Sequence, residues 1–223
     1  MEIEDLVKTF NQIKLLIEET IDWNSIVLKK RLSEEFIRTY ADRLNWRDIS
    51  SCQKLSEDLI REFKDKVDWN DISWYQKLSG SFIEEFSDRL NWEFVSNRQR
   101  LSYDFIKKHA NKIDWNALSS NSGLPESFIQ EFKDKLDWHA ISWYQNLSEP
   151  FIREFADRVD WDGIFKHQKL SEDFVREFQA KINWKSVLKK GYYLHRNFSP
   201  NLIKELMPIP FWKKYWGKLF KEM

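Results

Sequence analysis

Four histidines and one cysteine are the side chains of this chain best suited to binding a transition metal or acting as a nucleophile. The histidines follow one another at intervals of 30, 28 and 28 residues. They occupy different positions of the repeat described below, so we expect them on different faces and predict no metal site. Cys52 has no second cysteine to pair with, and we interpret it as an exposed thiol. The histidines are His109, His139, His167 and His195.

Adjacent carboxylates, such as Glu57 with Asp58 and Glu84 with Glu85, could in principle perform acid–base chemistry. That chemistry requires carboxylates in a shared, desolvated pocket. These pairs instead fall at the starts and exposed faces of predicted helices, where the helix dipole explains the acids at the starts. No glycine-rich phosphate loop or nucleophile motif is present in the sequence. We therefore predict a protein that is not an enzyme and that uses no metal, no cofactor and no small-molecule substrate.

The dominant feature of the sequence is a tryptophan that recurs every 23 residues. A fixed period of this length is typical of repeat proteins, in which each unit buries its apolar face against its neighbours. We expect these tryptophans, together with Trp212, to form the structural core of the repeats. They are Trp23, Trp46, Trp69, Trp92, Trp115, Trp138, Trp161 and Trp184.

The residue pattern within each repeat predicts two helices. Before Trp69, four apolar residues (Leu59, Ile60, Phe63 and Val67) lie on one stripe at helical spacing, which indicates a first helix of about three turns.

Two polar residues mark where these helices begin. Ser56 is a natural N-cap of the first helix, and the Asp or Asn before each tryptophan is a natural N-cap of a second helix. In this repeat the second helix runs from Trp69 to about Gln76. We expect the glutamine at this position to satisfy loose backbone groups near the turn.

The sequence thus predicts an all-α fold: an α-solenoid of about nine 23-residue helix–turn–helix repeats with atypical terminal caps. We expect a single domain over residues 1–223. It would comprise an N-terminal cap unit at 1–23, regular repeats at 24–188, an irregular linker at 189–197 and a C-terminal cap at 198–223.

The pattern resembles the tryptophan-repeat proteins of insect poxviruses and related large DNA viruses. The matching motif is "LSEDFVREFQAKINW" at 170–184, with close copies at 55–69 and 147–161. The resemblance covers about residues 10–212 and implies a repeat-only viral protein, made in an infected host cell, without an assigned reaction. It supplies no catalytic residues.

The segment "SWYQ" occurs twice, at 73–76 and 142–145. On a helical wheel, the residues five and six positions after the periodic tryptophan point away from the core. Exposed Trp and Tyr are enriched in binding hot spots, so Trp74, Tyr75, Trp143 and Tyr144 are candidate partner-binding residues. Two alternatives remain open at this point: duplication of a three-repeat block, or packing of these side chains under an adjacent loop.

The carboxyl-terminal segment "FWKKYWGKLFKEM" interleaves lysines with aromatic residues. It could cap the last repeat, which we favour, or form an amphipathic segment that contacts a membrane or a partner. Lys213, Lys214 and Trp216 are therefore further candidate partner-binding residues.

The formal net charge is zero, so no global field favours nucleic acid, and we rank nucleic-acid binding below protein binding. We find no secretory signal and no apolar run of transmembrane length, which predicts a cytoplasmic protein. Our main hypothesis is a scaffold that binds another, host-derived protein through an exposed helix face. The alternative is a structural or self-assembling element, such as a minor virion component, and the oligomeric state is left open.

Overall fold

The structure is a computed structural model that describes residues 21–121, 123–189 and 199–208. These residues form sixteen α-helices, one short 3-10 helix at Gln179–Lys181 and no β-strand. Helices of two kinds alternate with the 23-residue period, so the predicted all-α solenoid is confirmed. Within these ranges, no helix combines the length and the apolar character needed to cross a bilayer.

One kind of helix begins at a periodic tryptophan and is called here a tryptophan helix. The other begins after a serine, or after Pro125 in one repeat, and is called a serine helix. The tryptophan helices are Trp23–Lys29, Trp46–Cys52, Trp69–Tyr75, Trp92–Arg98, Trp115–Ser119, Trp138–Tyr144, Trp161–His167 and Trp184–Lys189. The serine helices are Glu34–Thr39, Glu57–Glu62, Gly80–Glu85, Tyr103–Lys108, Glu126–Glu131, Glu149–Glu154, Glu172–Glu177 and Pro200–Leu206.

The predicted N-caps are confirmed. Ser56 Oγ accepts the backbone N–H of Leu59, and the Asp68 carboxylate accepts those of Asn70 and Asp71. Each cap satisfies amides that have no partner inside the helix.

The serine helices are shorter than the three turns predicted. The helix Glu57–Glu62 ends before Phe63, and the chain continues to Val67 as hydrogen-bonded turns. The carbonyl of Lys64 accepts the indole N–H of Trp69 at 2.9 Å, so the tryptophan takes a carbonyl that a longer helix would have used internally.

The periodic tryptophans pack between repeats, but most of them are only half-buried. Trp46 and Trp184 are buried, whereas Trp69 and Trp115 keep part of the indole in solvent. In six repeats the ring contacts the aromatic residue seventeen positions later, as in Trp46–Phe63, with centroids 4.5 Å apart. Trp212 lies outside the described residues.

The chain forms two compact units, Met1–Gln99 and Arg100–Met223, called here unit 1 and unit 2. Within each unit, hydrogen bonds and ion pairs connect neighbouring repeats. In unit 1, Ser50 Oγ donates to the carbonyl of Trp46 and accepts the N–H of Asp68 in the next repeat. Ion pairs also connect acids and bases that precede the tryptophans of neighbouring repeats, as in the Arg89–Asp65 pair at 2.8 Å.

Candidate interaction surface

Trp74 and Trp143 do not point freely into solvent, so the prediction that both are outward-facing is wrong. Both indoles are half-buried. The helical wheel correctly turns them away from the core of their own repeat. In each case, however, the next tryptophan helix packs against the helix that carries the indole and covers it.

In unit 1, the ring of Trp74 meets the ring of Phe94 edge to face, with centroids 4.9 Å apart. The guanidinium of Arg98 lies over the Trp74 ring at 3.9 Å. Phe94 and Arg98 both belong to the next tryptophan helix, so Trp74 contributes to packing between repeats.

In unit 2, Trp143 is held by the next repeat in a different way. Its indole Nε1 donates to Oδ2 of Asp160 at 2.9 Å, and its ring lies 4.7 Å from that of His167. Gly163 makes room for the indole, because a Cβ at this position would lie 2.5 Å from Cδ1 of Trp143. The helix that packs against Trp143 therefore has a small residue, Gly163, at the position where the helix that packs against Trp74 has Phe94.

The carboxylate of Asp160 accepts hydrogen bonds from several donors. Burial raises its pKa, but hydrogen bonds from the Trp143 indole, from the backbone amides of Asp162 and Gly163 and from His139 lower it. The balance is a pKa below the ordinary value, because the donors stabilise the charged form. The group behaves as a helix cap that also fixes a neighbouring side chain.

Tyr75 and Tyr144 are exposed, as predicted, at 56% and 58%. Each is the last residue of its tryptophan helix and directly follows a tryptophan held by the next repeat. The backbone that carries each tyrosine is thus held in place by the packed tryptophan before it. Of the two predicted aromatic pairs, only the tyrosines offer a large free aromatic surface.

The histidines and Cys52 form no metal site within the described ranges. His139 and His167 are closer than predicted, because their rings flank the Trp143 indole with centroid distances of 5.5 and 4.7 Å. Cys52 is exposed, as expected. His195 lies outside the described residues.

A buried glutamine near the end of the tryptophan helices connects adjacent repeats through its amide. Gln76 donates to the carbonyls of Ser50 and Gln53 at 2.9 and 2.8 Å and accepts the N–H of Leu55 at 3.1 Å. This confirms the predicted role in satisfying backbone groups, and it shows that those groups belong to the preceding repeat. We call this arrangement the glutamine clamp; it recurs at Gln53, Gln99, Gln145 and Gln168.

The sequence reasoning missed the repeat position eight residues after each periodic tryptophan, which directly follows a clamp glutamine in five repeats. In unit 1 this position holds Arg31, Lys54 and Lys77, all exposed. The 23-residue spacing of these cations in the sequence is the signal that could have identified them. In unit 2 the same position holds Arg100, Gly123, Asn146 and Lys169.

A cleft of about 390 Å³ lies at this position in unit 2. It is lined by Asn146 and Leu147 from one repeat and by His167, Gln168 and Lys169 from the next. The cleft is thus located where the Gln168 clamp joins two repeats.

The remaining predicted contact residues, Lys213, Lys214 and Trp216, lie outside the described residues. Comparisons with protein-family models, with curated proteins and with solved structures found no match for this chain.

Proposed function

We propose that the chain is a non-enzymatic scaffold that binds another protein, with Tyr75 and Tyr144 as its contact residues. The observation that carries the proposal is their exposure on backbone fixed by a packed tryptophan. Large aromatic side chains on preorganised backbone are favoured in interfaces, because little conformational entropy is lost on binding.

Repeats without this tyrosine support the same interpretation. The equivalent position holds Cys52, Arg98 or His167 in other repeats, so the solenoid does not need an aromatic residue there. The resemblance to viral tryptophan-repeat proteins makes a host protein the proposed partner and the host cytoplasm the proposed location.

The test is quantitative capture from an insect-cell lysate by the immobilised chain and by its Tyr75→Ala/Tyr144→Ala variant. Tyr103→Ala serves as the control, because Tyr103 is an exposed tyrosine on a serine helix. Thermal unfolding of the double variant should match the wild type within a few degrees, and Tyr103→Ala, which removes a ring contact with Phe128 at 5.6 Å, must remain folded at the capture temperature. Proteins retained by the wild type and by the control but lost by the double variant would support the proposal. Equal recovery by all three would overturn the assignment of the tyrosines.

A further inference from the structure

We propose that unit 1 binds an extended, acidic peptide segment of a partner protein along Arg31, Lys54 and Lys77, called here the cation row. The inference rests on the proposed function and adds the chemical class of the partner. It rests on three features of these side chains: their equivalent positions in successive repeats, their lack of ion-pair partners among the described residues, and the spacing between them.

The glutamine clamp fixes the backbone on both sides of each cation. Gln53 donates to the carbonyl of Lys30 at 2.8 Å and accepts the N–H of Leu32 at 2.9 Å, so the residue between them, Arg31, is held on both flanks. Gln76 makes the same two bonds on either side of Lys54, and Gln99 makes them on either side of Lys77. The three cations therefore occupy equivalent positions in successive repeats.

The three cationic side chains are exposed and have no ion-pair partner among the described residues. The carboxylates three residues after Arg31 and Lys54 are engaged elsewhere. Glu34 accepts the backbone N–H of Ser56, and Glu57 accepts both the N–H and the hydroxyl of Ser79. The cation row is therefore available to an external anion.

The spacing of the row matches an extended peptide. Neighbouring helices pack about 8–10 Å apart, so successive cations recur at a distance on the order of 10 Å. An extended chain in the polyproline II conformation rises about 3.1 Å per residue and has three residues per turn, so every third side chain lies on the same face, roughly 9 Å further along, and reaches the next cation. The expected ligand carries an acidic residue at every third position.

Tyr75 gives one end of the row an apolar contact. It is exposed and lies two residues before Lys77, and its ring is 6.4 Å from that of Trp74. An apolar side chain beyond the last acidic residue of the peptide would cover it. Charge along the row would then set the register, and the aromatic contact would add affinity.

A nucleic acid fits this surface less well. Single-stranded nucleic acid carries a charge on every nucleotide and is held by aromatic platforms for successive bases. The position of Tyr75 is occupied by Lys29 and Cys52 in the two preceding repeats, and acids at Glu35 and Asp58 lie a few residues beyond the cations. A peptide with spaced charges avoids both difficulties.

The experiment is fluorescence anisotropy with the full chain and a labelled peptide in which three glutamates are separated by pairs of neutral residues and followed by a leucine. A second peptide of the same composition has the glutamates adjacent to one another. A labelled uridine oligonucleotide is the third probe. We expect the spaced peptide to bind more tightly than the other two, and to weaken as salt rises from about 50 to 300 mM.

The row variant is Arg31→Gln/Lys54→Gln, and the matched control is Arg43→Gln/Lys64→Gln. Each removes one arginine and one lysine from exposed positions of unit 1. We expect the row variant to bind the spaced peptide about three- to tenfold more weakly, and the control to bind as the wild type does. Circular dichroism should show both variants folded, since the four side chains have no recorded polar partner among the described residues.

Equal weakening by both variants would mean that net charge alone matters, and this result would overturn the inference. Preferential, row-dependent binding of the oligonucleotide would overturn it in favour of nucleic acid. If no probe binds, but capture from lysate still depends on the tyrosines, the acidic peptide is excluded as the ligand. The proposed scaffold function would be unaffected by that result.

Discussion

The indole Nε1 of Trp143 donates a 2.9 Å hydrogen bond to the carboxylate of Asp160, which is the N-cap of the next tryptophan helix. Asp160 thus caps a helix in its own repeat and also binds a side chain of the preceding repeat. Trp143 is the residue for which the sequence predicted a free, outward position. Its contacts have direct consequences for stability.

Replacement of Trp143 by alanine should destabilise the protein by about 2–3 kcal/mol. The change removes a half-buried indole and one donor to Asp160, and it leaves a void beside Gly163. Urea denaturation followed by far-UV circular dichroism measures the loss of unfolding free energy.

Tyr144→Ala is the control for that measurement, because the neighbouring tyrosine is exposed. It should change the unfolding free energy by less than about 0.5 kcal/mol. Equal effects of the two substitutions would contradict the packing of Trp143 between repeats.

Gly163→Ala should be much more destabilising in the wild type than in the Trp143→Ala background. A Cβ at position 163 meets Cδ1 of Trp143 at 2.5 Å, so the indole must shift. Without the indole, the remaining close contact is the backbone carbon of Ser142 at 3.2 Å, and the higher helix propensity of alanine, worth about 1 kcal/mol over glycine, offsets part of its cost. The four unfolding free energies form a double-mutant cycle, and a coupling near zero would show that the close approach has no energetic weight.

The sequence predicts the repeat, the caps and the glutamine because each depends on residues at fixed spacing within a short segment. Ser56, Asp68 and Gln76 act where a helix end leaves backbone groups unpaired, and this requirement is local. The surroundings of Trp74 and Trp143 depend on how the next repeat packs beside them. The identities of Phe94 and Gly163 could have indicated a contact, but only with the packing of successive tryptophan helices already known.

Gln145→Leu should destabilise the protein by about 2–4 kcal/mol. Gln145 is 2% exposed, and its side chain donates to the carbonyls of Ser119 and Asn121, each at 2.9 Å. It also accepts two backbone N–H groups from the same loop. Leucine fills a similar volume but leaves one buried and three partly buried backbone groups without this partner, and each such group costs roughly 1–3 kcal/mol if it stays dry.

The control for the clamp is Gln130→Leu in the same unit. Gln130 is exposed and bonds only the side chain of Glu154 among the described residues. Thermal unfolding should give a lower midpoint for Gln145→Leu and a nearly unchanged one for Gln130→Leu. If both midpoints moved together, the clamp would contribute nothing beyond ordinary side-chain effects.

Asp160→Asn should destabilise the protein at pH 7 by about 1 kcal/mol, and the difference from the wild type should shrink in acid. The folded-state pKa of Asp160 lies below its ordinary value of 3.8. A depressed pKa stabilises the folded state above the unfolded-state pKa, and this stabilisation is lost as the pH falls through the folded-state pKa. Urea denaturation of both proteins between about pH 5 and pH 2 measures the convergence.

The Trp143→Phe background separates the indole hydrogen bond from the other donors to Asp160. Phenylalanine keeps an aromatic ring but removes the Nε1 donor, so the Asp160 carboxylate loses one of the bonds that lower its pKa. The pH-dependent part of the Asp160→Asn effect should therefore be smaller in this background. An unchanged pH dependence would mean that the backbone amides and His139 alone stabilise the charged carboxylate, and that the indole serves only to pack the two repeats together.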